Sequence, residues 1–437
     1  MSAPYTSELA ARLAPDVLAR LDRYARIDTQ SSRLRARSPS TPGQLDLARL
    51  LVSELAQSGC ADASLDDNGY VTATLAASAG DGDDSGGPRP VIGLVAHMDT
   101  SPDAPGAGVQ PIVHHDYDGG VIELPRAGTR LDPASMTELS RKRGHDIVTS
   151  SGDTLLGADD KAGVAEIMSS VAHLAAHPEL PRPTLRIAFT PDEEIGHGAT
   201  LFDIPAFGAL CAYTLDGSEL GEFQDETFSA VEVIATITGI EVHPGQATGK
   251  LVSALVLAAR IIAALPSDRL TPDTTAGREG FIYPYRLTGA AARAELHAIV
   301  RDFDERLLQE HRELFERTAR SVVEAAPGAA LELQCNRQYR NMRQYLDQVP
   351  FVVQAACDAI RAEGIEPRKV PARGGTDGSR LSEMGLPTPN IFTGGHEFHS
   401  VREWASVHDM ASAAATIVRL AEVWTRPEAA AVADGGA

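Results

Sequence analysis

Five short segments of this 437-residue chain hold the side chains that chemistry needs: Ala96-His97-Met98-Asp99-Thr100, Gly157-Ala158-Asp159-Asp160-Lys161, Pro191-Asp192-Glu193-Glu194-Ile195-Gly196, Thr214-Leu215-Asp216-Gly217 and His399-Ser400-Val401-Arg402-Glu403. Imidazoles and carboxylates gathered mostly where apolar strands end are what a water-activating divalent metal site requires. In extended backbone alternate side chains share a face, so His97 and Asp99 point the same way. Asp99 is then placed to accept a hydrogen bond from the imidazole nitrogen that does not bind metal; a purely structural histidine at a strand end reads the same. Asp159 and Asp160 open a helix, where acids also serve as caps or dipole partners, yet the two oxygens of a carboxylate can also bridge two cations. Glu193 and Glu194, adjacent and just beyond a strand, project in different directions, so one can bind metal while the other faces a metal-bound water. Without a cation such neighbours repel, and a solvated acidic turn is the plainer alternative. Asp216 reads equally as a turn residue, and His399 as a surface histidine beside His396.

The elements that must position these residues are visible in the apolar pattern. Val91–Val95 runs as a strand into His97, a helix from Asp160 to about His173 has apolar residues at Val164, Ile167, Met168 and Val171, and strands follow at 184–189 and 210–214. Short apolar strands alternating with helices predict an α/β layer. The middle of the chain differs. A strand at 230–238, a helix at 250–264, strands at 281–287 and 293–300, a helix at 302–325 and a strand at 330–335 give the order β-α-β-β-α-β, the ferredoxin-like plan. Residues 223–344 are therefore expected as an inserted unit, splitting the first domain into 1–222 and 345–437. A helix at 350–363 and the glycine-rich 371–385 segment lead back through 388–392 to the α/β layer. The 78–90 segment, rich in Gly, Asp and Ser, reads as a flexible loop and the tail after Pro427 as disordered.

Composition narrows the function classes. At 43% hydrophobic and 23% charged residues the chain reads as globular. Its formal net charge of −21 argues against a nucleic-acid partner, which needs basic patches. Four cysteines, Cys60, Cys211, Cys335 and Cys357, form no CxxC pair and read as reduced core thiols, which suits the cytoplasm. Residues 7–27 are amphipathic and punctuated by charges, with no apolar stretch of signal-peptide or membrane-span length. Heavy use of arginine over lysine says nothing about mechanism.

Taken in order, His97, Asp159, Glu194, Asp216 and His399, with Asp99 and Glu193 as helpers, resemble the zinc metallopeptidases of the aminoacylase, carboxypeptidase and dipeptidase group, metallopeptidase family 20. The strings Thr154-Leu155-Leu156-Gly157-Ala158-Asp159-Asp160-Lys161-Ala162-Gly163 and Arg373-Gly374-Gly375-Thr376-Asp377-Gly378 resemble its tripeptide-aminopeptidase branch. The resemblance implies an α/β catalytic domain with an inserted α+β ferredoxin-like lid. It also implies two Zn2+ ions per subunit bridged by Asp159, one completed by His97 and Asp216, the other by Glu194 and His399. Asp99 would orient His97, and Glu193 would serve as general base and then general acid. The resemblance also implies Asp159 rather than Asp160 as the bridge, from the spacing to Lys161 in the related motif, and His399 rather than His396, because the group's pattern has a glutamate four residues after the ligand, here Glu403. His243, in Glu241-Val242-His243-Pro244-Gly245, would donate to the tetrahedral oxyanion, in several relatives from a partner subunit, and a homodimer through the inserted unit is implied. Arg373 would clamp a substrate carboxylate, with Asn341 and Thr376 as further substrate contacts.

The implied activity is release of the N-terminal residue from tripeptides. Dipeptidase, carboxypeptidase or N-acyl-amino-acid deacylase activity on the same scaffold is the neighbouring alternative. A catalytically silent, metal-dependent peptide-binding protein is the alternative of another class.

Overall fold

The computed structural model describes residues 4–78 and 90–429. Residues 79–89 of the expected flexible loop and 430–437 of the expected disordered tail lie outside that description. The chain divides into two compact units: residues 1–225, 342–370 and 376–437 form the larger, and residues 226–341 with 371–375 the smaller. The return of a five-residue strip to the smaller unit is more than the sequence pattern had suggested. Ala372 pairs in parallel with Thr227 through a β-bridge, and its N–H donates to the Glu226 carbonyl.

The larger unit is built on an eight-stranded sheet. Across it the strands run in the order Ser64–Leu65, Val71–Leu75, Thr184–Thr190, Val91–His97, Cys211–Leu215, Asn390–Ile391, Glu222–Gln224, Arg368–Lys369. Val91–His97 pairs in parallel with both Thr184–Thr190 and Cys211–Leu215. The strand is apolar along its length because it is covered on both faces. Ile92, Leu94 and Ala96 join the core made with the helices Glu8–Ala25, Ala158–Ala176 and Val407–Val423. Val95 faces the other way, into the cluster of Phe202, Phe207 and Leu381. Gly93 lies on that second face, where an added Cβ would come within 2.7 Å of the Phe207 ring. Three adjacent parallel strands therefore end side by side, and the segments after them bear His97 and Asp99, Glu193 and Glu194, and Asp216. Loops beyond the carboxyl ends of parallel strands are where α/β sheets place their ligands.

The smaller unit has a four-stranded antiparallel sheet, in spatial order Phe281–Gly289, Arg293–Asp302, Ser229–Thr238, Ala330–Tyr339, with helices Ala254–Ala264 and Glu305–Glu324 packed against it. The β-α-β-β-α-β succession matches the hydrophobic pattern. The first helix begins at Ala254 rather than Lys250, because the chain before it bridges Ile240 to Val252 and Ser253 caps the helix at the Val256 N–H. Two local expectations need correction. Cys335 is exposed while Cys60, Cys211 and Cys357 are buried; it shares the inward parity of Leu331 and Leu333 but lies on an edge strand, where the packing leaves it open. The 371–385 segment is not all loop: Asp377–Glu383 is a short helix beginning after Thr376.

Candidate metal centre

The carboxylate of Asp159 lies between two imidazoles. Its Oδ1 is 2.9 Å from His97 Nε2 and its Oδ2 is 3.3 Å from His399 Nε2. Glu194 Oε2 approaches the same His399 nitrogen at 2.9 Å, and Asp216 Oδ1 lies 3.8 Å from His97 Nε2. Two ligand-like triads result, His97–Asp159–Glu194 and His97–Asp160–Asp216, each with its donor atoms within 4.8 Å of one another.

Each residue is fixed by its local backbone. His97 closes the Val91–His97 strand, paired with Thr190. Asp159 and Asp160 precede the helical turns proper: Gly157 takes a left-handed φ of 81°, both aspartates are non-helical, and the peptide joining them is cis. Asp160 is occupied with backbone, its Oδ2 accepting from the His97 N–H at 3.1 Å and its Oδ1 from Gly163 N–H at 3.2 Å. Gly163 is required for that fit, since an added Cβ would sit 1.9 Å from the Leu215 carbonyl oxygen and 2.5 Å from Asp160 Oδ1. Asp159, by contrast, turns its carboxylate to the two histidines.

The Asp99 carboxylate does something other than the simple orienting role. His97 Nδ1 is nearer to the Asp99 carbonyl oxygen, at 3.0 Å, than to the carboxylate, at 3.4 Å. The carboxylate instead accepts the backbone N–H groups of Glu193 at 2.9 Å and Glu194 at 3.2 Å. It thereby ties the strand end bearing His97 to the single 3-10 turn of Glu193–Ile195.

Three supports were not among the residues singled out for chemistry. Glu403 accepts from Asp159 N–H at 2.9 Å with one oxygen and from Leu156 and Gly157 N–H at 2.8 and 2.7 Å with the other; its distance from His399 in sequence was its only signal. Asp192, at a left-handed φ of 60°, accepts from Ser40 N–H and Gln44 Nε2 and pairs with Arg35. Asp377 accepts the Thr190 hydroxyl at 2.6 Å. A polar residue beside a turn has no sequence signature that separates such a role from ordinary solvation.

Charge is out of balance here. Burial, reinforced by the neighbouring carboxylates Asp216, Asp377 and Glu194, pushes Glu193 well above the usual carboxylate range. Glu194 is raised to about 7 by burial and then by Asp159, and Asp216 is raised by burial and by Asp160 and Asp159. Burial opposes the charge of His399, yet hydrogen bonds to Asp159 and Glu194 raise it to about 11; His97 is raised in the same way by Asp159 and Asp99. Protons on acids and imidazoles thus do the neutralising that a cation would do. The Glu194 Oε1 atom is buried with no hydrogen-bond partner. An orphaned carboxylate oxygen among imidazoles and carboxylates fits a divalent ion, and the mixed N/O donor set suits zinc chemistry.

His396 is placed elsewhere. It stacks on Trp404 at 4.1 Å and contacts Ser218, and burial, then Lys142, depresses it to about 3. The remaining predicted residues belong to other surroundings. His243 is exposed in the smaller unit, its Nδ1 accepting from the Gly245 N–H at 3.1 Å. Arg373, in the same unit, donates to the Gly277 carbonyl and the Thr275 hydroxyl and lies over the rings of Phe228 and Phe281. Asn341 is buried, with its amide bonded to Thr227 N–H, Glu226 and the Phe303 carbonyl. Thr376 stands at the N-terminus of the Asp377–Glu383 helix, its N–H donating to Ser379 Oγ.

A two-unit chain with this sheet and this cluster of imidazoles and carboxylates has a family. Residues 156–423 match Peptidase family M20/M25/M40, and the chain belongs to it. Among its relatives is Peptidase T of Geobacillus kaustophilus (strain HTA426), 44% identical over 410 residues that span 94% of this chain and 98% of that one. In fold the chain is similar to the aminopeptidase PepT of Bacillus cereus ATCC 10987, at a TM-score of 0.71 and 23% identity over 94% of this chain and 99% of that one. It is also similar to a Bacillus subtilis protein described as a dinuclear metal binding peptidase from the M20 family, at a TM-score of 0.62 and 15% identity over 94% of this chain and 98% of that one. Among the described residues no helix is long and apolar enough to cross a membrane.

Proposed function

We propose that the chain is a tripeptide aminopeptidase in which His97, Asp159, Glu194, Asp216 and His399 would hold a pair of zinc ions. The observation that carries this reading is the two-sided Asp159 carboxylate, one oxygen toward each histidine. His97 and Asp216 complete one site, His399 and Glu194 the other. A bound metal pair supplies a water of near-neutral pKa and polarises the peptide carbonyl. Everything else is done by side chains. Asp99 and Glu403 hold the Glu193–Glu194 and Leu156–Asp159 backbone in place, so that ligands need little rearrangement on loading. Glu193, adjacent to a ligand but not itself one, takes the proton of the attacking water and returns it to the leaving amine. Its raised proton affinity belongs to the metal-free charge balance and falls when cations neutralise Asp216 and Glu194.

His243 is the candidate oxyanion donor, from its own or a partner subunit. Arg373 offers its remaining guanidinium N–H donors to the peptide carboxylate, held flat by Phe228 and Phe281. Asn341 acts indirectly, by bracing the smaller unit, and Thr376 by setting the start of the helix that begins at Asp377. The name and identity of the Peptidase T relative support the tripeptide preference over the dipeptidase, carboxypeptidase and deacylase alternatives. Hydrolysis of unblocked tripeptides, dipeptides and N-acetylated amino acids separates them. Turnover of tripeptides with release of the first residue is expected, and turnover of acetylated amino acids alone contradicts the assignment.

A further inference from the structure

Both histidines of the centre present Nε2 to Asp159 and Nδ1 to the stretch of chain that follows the Val91–His97 strand. His97 Nδ1 meets Asp99. His399 Nδ1 meets Asp103, whose Oδ2 is 3.4 Å away. The supports of the two rings differ sharply. The His97 side chain is 2% exposed at a strand end, whereas the His399 side chain is 42% exposed in a loop where His399 itself has a φ of 59° and Glu397 one of 55°. Packing therefore fixes the first ring and leaves the orientation of the second to polar contacts.

Asp103 is itself held. Arg33 Nη2 donates to Asp103 Oδ1 at 2.6 Å, leaving Oδ2 for the imidazole. The segment bearing Arg33 is laced to that bearing Asp103: Ser31 N–H donates to the Thr100 carbonyl, Thr100 N–H to the Thr29 carbonyl, and Gln30 Nε2 to the carbonyls of Ser101 and Ala104 at 2.9 and 2.6 Å. An imidazole whose Nδ1–H is taken by a carboxylate keeps its Nε2 lone pair for a metal, in one tautomer and one orientation.

We propose that Asp103, braced by Arg33, is a positioning residue for His399, fixing the tautomer and ring direction of the second metal ligand as the Asp99 backbone carbonyl does for the first. The proposal rests on reading His399 as a ligand. Its consequence is unequal: Asp103 affects the Glu194–His399 ion and leaves the His97–Asp216 ion alone.

The test is zinc retention of the purified full-length protein against a chromogenic chelator, resolved into its two release steps, for wild type and for Asp103→Ala, Asp103→Asn, Arg33→Ala and His399→Ala. Expected are loss of one zinc per subunit in His399→Ala, a weakening of one step by roughly 10- to 100-fold in Asp103→Ala, and smaller losses at the same step in Asp103→Asn and Arg33→Ala. At saturating zinc, kcat of Asp103→Ala recovers toward wild type with KM unchanged. If Asp103→Ala does not fold, Asp103→Asn and Arg33→Ala decide by the same readout. Unchanged release at both steps alongside a lost zinc in His399→Ala overturns the role of Asp103 alone. Two zincs retained by His399→Ala overturn the ligand reading beneath it.

Discussion

The carboxyl end of the eight-stranded sheet and the Asn341–Arg373 region of the smaller unit treat polar side chains in opposite ways. Around Asp159 the acids outnumber their donors: Glu194 keeps a buried oxygen without a partner, and Glu193, Glu194 and Asp216 are all held above the usual carboxylate range by burial and by one another. In the smaller unit the Asn341 amide uses both its oxygen and its nitrogen on internal partners, and Arg373 spends two donors on Gly277 and Thr275. The first region is unfavourable as a piece of protein and makes sense only with cations added. The second satisfies the Asn341 amide internally and holds Arg373 in place, and can contribute a preformed surface. A cluster whose hydrogen bonding and charge do not close marks where a ligand belongs.

The comparison is broken most severely by removing the proposed base. Glu193→Gln should keep its zinc content but lose about 10²- to 10⁴-fold in kcat on a tripeptide; undiminished turnover by that variant would contradict the assigned role. Proton linkage sharpens the same point. Zinc must displace protons from His399, at about 11, and from Glu194, at about 7. Zinc affinity should therefore fall as pH is lowered from 8 to 6, with protons released on loading, as calorimetry in buffers of different ionisation enthalpy will show. In the smaller unit Arg373→Ala should raise KM about 10- to 100-fold for a tripeptide with a free carboxylate, the size of a lost hydrogen-bonded ion contact, and leave the amidated peptide unaffected. Asn341→Ala should cost about 1–3 kcal/mol of stability through unpaired buried groups, read by denaturant unfolding, with KM nearly unmoved.

The smallest effect is expected away from both regions. His396 and His145 are held at about 3, in each case chiefly by burial, while the unfolded value is about 6.5. The unfolded chain then binds more protons in acid. The contribution of these residues is fully present above about pH 6.5 and is lost progressively as pH falls toward 3. Replacing His396 by Phe should flatten part of that decline in a thermal-unfolding series, and an unchanged slope would assign the decline to other groups.

How much of this was legible in the sequence depends on the kind of signal. Strands such as Val91–His97 and the β-α-β-β-α-β succession announce themselves through apolar periodicity, and the ordered set of His97, Asp159, Glu194, Asp216 and His399 carries the family resemblance. The helix start at Ala254 was misplaced because Leu251 and Val252 continue the apolar pattern while the backbone there is already paired with Ile240. Cys335 was taken for a core thiol along with the other three, although it lies on an edge strand whose packing leaves it exposed. The anchoring by Asp192 and Asp103 was not legible at all, and Glu403 showed only through its spacing from His399. Each is an ordinary acid near a turn, and its partners, Leu156, Ser40 and Arg33, are far away in sequence and brought close only by the fold. Strand alternation places Asp99 beside His97, and its carboxylate serves mainly the backbone of Glu193 and Glu194.

The central claim is that two ions share the Asp159 carboxylate. Anomalous diffraction at the zinc edge from crystals of the zinc-loaded protein tests it directly. Two peaks about 3.5–4 Å apart, with one Asp159 oxygen toward each, are the result expected; a single peak, or a pair bridged by another residue with Asp159 turned away, would contradict it.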